Sequence, residues 1–170
     1  MASLMEDLLD VLEKEEAQYE TLIALGDEKR EAVIKADIAK LDDVTIREQD
    51  AASVLLNLSN RRTQVLNDMA TVLGKNPGEL TITKMIGYLD KQPVEQEKLT
   101  KQRDRLLDAG TRMRALNQQN EALLKQALEM VEFDLTLLRS MRQAPETANY
   151  DRNAYNTGDI LGGSGFDAKQ

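Results

Sequence analysis

Residues 94–142 form the most informative segment of the chain and read VEQEKLTKQRDRLLDAGTRMRALNQQNEALLKQALEMVEFDLTLLRSMR. Apolar residues recur in it at steps of three, four and seven, the period of a helix with one buried side. No proline occurs between Pro93 and Pro145. We therefore predict one long helix over residues 94–142. Its apolar positions are Leu99, Leu106, Met113, Leu116, Leu123, Leu124, Ala127, Met130, Val131, Leu138 and Met141.

The same periodicity predicts two long helices earlier in the chain, over residues 3–36 and 38–73. Ser3 and Glu6 have the spacing of a capping box, in which each side chain bonds the backbone amide of the other residue. Asp37 has the position of an N-cap for the second helix. Gly74 and Pro77 are expected to end that helix.

A short helix over residues 82–90 is predicted after Thr81, whose side chain is a good N-cap. Residues 143–170 contain Pro145 and a cluster of glycines, which favours a flexible tail. The predicted fold is all-α. It is an elongated, antiparallel, coiled-coil-like bundle of three long helices and one short helix over residues 1–142, followed by the tail.

The distribution of charge predicts how the helices are arranged. Residues 6–20 hold seven acids and one lysine, whereas residues 98–114 hold six bases and two acids. If the three long helices run up, down and up, these two segments lie side by side. Two solvated faces are the alternative, because exposed ion pairs contribute only about 0–1 kcal/mol each.

The composition excludes several classes of function. The chain of 170 residues has no Cys and no His, so disulfides, Cys/His zinc sites and His-based nucleophile pairs are impossible. We expect no enzyme, no metal site and no cofactor. A net charge of −8 disfavours binding to nucleic acid or to anionic membranes, since both repel an acidic surface. The expected partners are proteins.

The sequence also predicts where the protein works. No apolar run approaches the roughly 20 residues of a membrane span, so no stable membrane insertion is expected. The first ten residues, MASLMEDLLD, are acidic where a secretory signal is basic. We expect a cytoplasmic protein.

The end of the long helix has more apolar residues than one buried side needs. In residues 122–138, 11 of 17 are apolar, and they go around the helix. Burial inside the monomer, a homodimer seam and a groove for the amphipathic helix of another protein are the three interpretations. Its Met and Leu side chains adapt to varied apolar ligands, which favours the third.

Polar residues precede this apolar run. Asn117 and Asn120 could bond the backbone of a guest helix, or they could fix the register of a helix seam. The tail holds three aromatic residues, Tyr150, Tyr155 and Phe166, in polar and glycine-rich sequence. Such residues suggest a recognition segment, because each brings a large apolar contact area to a partner.

The order of these segments resembles the FlgN family of bacterial flagellar export chaperones. The resemblance lies in an acidic, leucine-rich first helix, the junction KADIAKLDD, the short helix LTITKMIGYLD, the run NQQNEALLKQALEMVEFDLTLL and a Tyr/Gly tail. It extends over nearly the whole chain. Its most specific positions are Asn117, Asn120, Leu123, Leu124, Ala127, Leu128, Val131 and Leu138.

The resemblance implies a small bacterial cytoplasmic chaperone. Members of the family bind the C-terminal helical region of hook-associated proteins, prevent premature assembly and deliver them to the flagellar type III export apparatus. The implied binding site comprises Asn117, Asn120, Leu123, Leu124, Ala127, Leu128, Val131, Leu135 and Leu138. A tail tyrosine that contacts the export gate would correspond to Tyr150 or Tyr155.

Two other functions remain open at this point. A structural coiled-coil protein or adaptor would self-associate through the same apolar end, whereas a chaperone would be a monomer or a weak homodimer. A carboxylate metalloenzyme or phosphate-handling bundle is the other alternative, and the lack of His makes it remote.

Overall fold

The computed structural model describes the backbone of residues 1–167 and the side chains of residues 1–143. In this part of the chain there are four helices and no strand: α1 (Ala2–Ile34), α2 (Ile38–Val72), α3 (Ile82–Tyr88) and α4 (Pro93–Asp167). The predicted all-α class, with three long helices and a short one, is confirmed. The chain divides into two compact units, Met1–Leu124 and Lys125–Gln170.

Local hydrogen bonds explain where α2 and α3 begin. Asp37 Oδ1 accepts from the Lys40 amide at 3.1 Å, and Thr81 Oγ1 accepts from the Lys84 amide at 3.2 Å. Both predicted N-caps are therefore confirmed. α2 ends at Val72, and Gly74 follows with a positive φ of 65°.

The predicted capping box at Ser3 is wrong. The N-cap of α1 is Met1, which makes no side-chain cap hydrogen bond, and the helix begins at Ala2. The Met1 carbonyl already accepts from the Met5 amide at 3.0 Å. Ser3 therefore lies inside the first helical turn, whereas an N-cap residue requires a non-helical backbone.

α4 continues to Asp167, beyond the predicted end at residue 142. The prediction ended the helix before Pro145 and the glycines that follow. A proline removes one backbone hydrogen bond from a helix, but it does not have to end the helix. The flexible tail over residues 143–170 stays a prediction.

The first unit is held together by apolar side chains from all four helices. Leu8 and Leu12 of α1, Met69 of α2, Met85 of α3 and Leu99 of α4 are almost completely buried in one cluster. Leu25 of α1 packs with Val44 and Ala51 of α2 in a second cluster. The periodic apolar positions of the sequence thus form a narrow core along the helices.

The predicted neighbourhood of acidic and basic segments is present between α1 and the first part of α4. Arg112 pairs with Glu20, and Gln102 Nε2 donates to Glu16 Oε2 at 2.7 Å. Three of the bases, Lys98, Lys101 and Arg103, pair instead with acids of their own helix. Packing of apolar side chains is thus the main link between α1 and α4, with the charges as an addition.

α1 and α4 approach each other closely at Gly26 and Asn120. A Cβ atom on Gly26 would lie 2.6 Å from Leu116 Cδ2, well inside van der Waals contact. At the same level, Asn120 Nδ2 donates to the Gly26 carbonyl at 2.8 Å. A side chain at residue 26 would therefore require the Leu116 side chain to move.

A buried charge lies between α1 and α2. Glu15 is only 2% exposed, and its Oε2 is 3.0 Å from Arg62 Nη1. Burial raises the pKa of Glu15 above its usual value, and the neighbouring Arg62 opposes that shift only in part.

We expect Gly26→Ala to be less stable than Gly110→Ala by about 1–3 kcal/mol in urea unfolding, the usual cost of overpacking. The two variants add the same methyl group inside a helix and gain the same helix propensity, about 0.5–1 kcal/mol. At Gly110 the added Cβ would meet only Tyr19 Cζ, at 3.9 Å. Equal stabilities would show that α1 and α4 separate at Gly26 without cost.

We expect Glu15→Gln to gain stability relative to the wild-type chain as the pH rises. Because the native pKa of Glu15 is raised, the stability that its protonated form confers is present at low pH and is lost as the pH rises through the native pKa. Urea unfolding at about pH 4 and about pH 7 measures the difference, with Glu13→Gln as the exposed control. If the difference in the free energy of unfolding between this variant and the wild-type chain does not change with pH, burial does not raise the pKa of Glu15.

Candidate functional site

The nine predicted binding residues all lie on α4, but they belong to two units of the chain. Asn117, Asn120, Leu123 and Leu124 are in the unit Met1–Leu124. Ala127, Leu128, Val131, Leu135 and Leu138 are in the unit Lys125–Gln170. The two groups have different surroundings.

In the first unit, Asn120 is a buried residue and not an exposed contact. Asn120 is 4% exposed, and its side-chain amide donates a hydrogen bond to the Gly26 carbonyl. Its Oδ1 has no hydrogen-bond partner among the described residues. This geometry matches the register-fixing alternative for this asparagine, because the bond forms only when α1 and α4 are correctly aligned. Asn117, in contrast, is exposed.

A groove of about 550 Å³ opens beside Asn120 between α1, α2 and α4. Leu22 of α1, Leu55 of α2 and Leu124 of α4 form much of its apolar wall, and Asn117 contributes a polar edge. An ion pair between Lys29 Nζ and Glu48 Oε2, 3.0 Å apart, lies along one side of the groove. Three of the predicted site residues thus border a concave surface.

In the second unit, four of the predicted residues form an apolar stripe: Leu128, Val131, Leu135 and Leu138. They are 57%, 53%, 48% and 57% exposed, respectively. Steps of three, four and three residues place them along one side of α4, because successive helical residues turn by about 100°. Ala127, the fifth, lies beside the stripe and is half-buried. The apolar stripe is accessible to a partner.

A second set of large apolar side chains lies on another side of the same helix segment. Met130, Phe133, Leu137 and Met141 are all at least half exposed. They were absent from the predicted site because that prediction followed a single stripe. The apolar surplus in residues 122–138 was the sequence signal that could have included the first three.

Metal-binding clusters and membrane-spanning helices were sought in the described part of the chain. No group of three or more Asp, Glu, His or Cys side chains that could hold a metal ion occurs within residues 1–143. No helix there has the length and apolarity needed to cross a membrane. The predicted tail contacts, Tyr150 and Tyr155, lie outside the described side chains.

Comparison with known proteins identifies the family. Neither the curated proteins nor the solved structures contain a match to the chain. The family model described as FlgN protein matches residues 1–158, which include all four helices up to the last part of α4. Because this match covers most of the sequence, the chain belongs to the FlgN family of flagellar export chaperones.

Proposed function

We propose that this protein is a cytoplasmic bacterial chaperone for flagellar hook-associated proteins. It binds their C-terminal helical region, prevents their premature assembly and delivers them to the flagellar type III export apparatus. The observation that carries the proposal is the apolar stripe of four large side chains, each about half exposed in the second unit. Membership of a family of export chaperones supports the kind of partner.

The size of the apolar stripe gives an order of magnitude for its contribution to the binding free energy. Fully burying a Leu or Val side chain contributes about 1.5–3 kcal/mol, so covering the exposed half of four of them contributes roughly 3–6 kcal/mol. Association itself costs about 4–15 kcal/mol. The stripe alone is therefore too small for tight capture. The guest must also cover neighbouring apolar side chains, and Met130 and Met141 are the nearest large exposed ones outside the stripe.

The proposed mechanism is protection by mass action. A hook-associated subunit that has not assembled exposes an amphipathic helix, and this helix packs against other subunits once assembly is complete. A chaperone that covers the helix lowers the concentration of the free, assembly-competent form. Release at the export apparatus requires a reversible complex, with a dissociation constant between about 1 nM and 1 µM.

The tail has the second role in this proposal. Tyr150 or Tyr155 docks the loaded chaperone at a component of the export gate, while the apolar stripe retains the guest. The two aromatic residues lie within the residues that match the family model, whereas Phe166 lies beyond them.

Self-association is the second candidate function, since the same exposed stripe could pair with another copy of the chain. In that case the stripe would be covered in the purified protein and no guest would be needed. The proposed chaperone is instead a monomer or a weak homodimer. The concentration dependence of the mass in solution separates the two functions.

We expect Leu128→Asp and Val131→Asp each to raise the dissociation constant for a hook-associated C-terminal fragment by at least tenfold, because a charge in an apolar contact must be desolvated. Thr136→Asp adds the same charge on the polar side of the helix and should bind normally. Calorimetric titration measures the affinity, and circular dichroism should show unchanged helix content. Loss of the helical signal would mean that the stripe is internal core.

We expect the double variant Tyr150→Ala/Tyr155→Ala to bind guest fragments like the wild-type chain but to support less export. The reason is that the tail is proposed to act after capture, at the export gate. The amount of hook-associated protein secreted by cells carrying each variant measures delivery, with Phe166→Ala as the matched control. Normal secretion by the double variant would remove the two tyrosines from the mechanism.

A further inference from the structure

Charged side chains border the apolar stripe on both sides. Lys125, Glu132 and Arg139 follow one border at seven-residue intervals, and Asp134 lies on the other border between Ala127 and Met141. A seven-residue interval turns a helix by nearly two full turns, so these residues keep the same side. All four charged side chains are exposed, and none makes an ion pair with another described residue.

The charged residues on the two borders disfavour antiparallel pairing of two copies through the stripe. Such a pairing would place Leu128 beside Leu138 of the second copy, and Val131 beside its Leu135. In an antiparallel coiled coil, each border faces the same border of the other helix. Glu132 would then face Glu132 of the second copy, Asp134 would face Asp134, and Lys125 would face Arg139. Every one of these contacts joins like charges, which is unfavourable.

Parallel pairing of two copies is opposed by packing. It would bring Asp134 near Arg139 of the second copy, which is favourable. However, the three-four-three spacing assigns Leu128 and Leu135 to heptad position a, and Val131 and Leu138 to position d. Parallel two-stranded coiled coils prefer a β-branched residue at a and Leu at d, and of these four residues only Leu138 meets that preference. Neither orientation of a second copy suits the stripe.

We propose that these charges select the guest: the stripe takes an amphipathic helix of another protein that carries an acid opposite Lys125, a base opposite Glu132 and an acid opposite Arg139. This inference rests on the proposed function and adds the chemistry of the partner to it. The guest helix thus shows acid, base and acid at seven-residue intervals beside its apolar side. A base opposite Asp134 on the other border completes the match.

The borders determine which helix binds, and in which register, more than how tightly it binds. Exposed ion pairs of this kind change a dissociation constant by up to about fivefold each. A guest helix shifted by one heptad would place its acids opposite Glu132, so the wrong register is repelled while the correct one is attracted. Because the pairs are exposed, added salt weakens the selection.

The first test compares Glu132→Lys with Glu129→Lys. Both substitutions change the net charge equally at exposed positions of the same helix, but only residue 132 borders the stripe. Calorimetric titration with C-terminal helical fragments of hook-associated proteins should show a dissociation constant raised roughly three- to tenfold for Glu132→Lys at about 20 mM salt. The increase should shrink at about 500 mM salt, and Glu129→Lys should stay within about twofold of the wild-type chain.

The second test needs no guest. The triple variant Glu132→Gln/Asp134→Asn/Arg139→Glu removes the like-charge contacts of the antiparallel pair and places Lys125 opposite a glutamate. Sedimentation equilibrium at low salt should show association at least about tenfold tighter than for the wild-type chain. The control Glu129→Gln should leave association unchanged.

The outcomes separate this inference from the proposed function. A wild-type chain that binds none of the fragments overturns both. Fragment binding that Glu132→Lys and Glu129→Lys change equally overturns only the selection by the borders. A triple variant that associates no better than the wild-type chain also overturns it, and so does a wild-type chain that forms a stable dimer through the stripe.

Discussion

Burial of a single apolar side of α4 is the constraint on which the rest of the structure depends. In the first unit, Leu99 and Leu106 pack in the same cluster as Leu8 of α1 and Met69 of α2. In the second unit, the large apolar side chains of α4 at residues 128–141 are about half exposed or more. One helix thus serves both as a core element and as an apolar surface. A surface of this kind is rare on a protein without a partner.

Much of the fold could be predicted because it depends on short-range interactions. The caps at Asp37 and Thr81 are bonds to an amide three residues away, so the sequence shows them directly. The position of Ser3 in its helix was misjudged because the chain already becomes helical at Ala2. The end of α4 was also not predictable, since proline and glycine weaken a helix without fixing where it stops.

The site was predictable where it depends on composition and not where it depends on distant residues. The excess of apolar residues around the helix allowed burial in the monomer, a dimer seam or a partner surface, and the sequence favoured the last. Leu128 and Val131 are exposed. For Asn120 the sequence left open a guest contact or a register-fixing role, and the structure shows its amide donating to the Gly26 carbonyl of α1. That hydrogen bond joins residues 94 positions apart in the chain, and no local pattern reveals it. The binding roles of the nine residues stay a prediction.

Light scattering on the purified chain, alone and mixed with an equimolar C-terminal helical fragment of a hook-associated protein, tests the central claim most directly. The account predicts a mass near 19.1 kDa for the chain alone, and a complex of one chain with one fragment in the mixture. A particle of twice that mass that persists on dilution and does not take up the fragment would contradict it. The apolar end of α4 would then serve self-assembly.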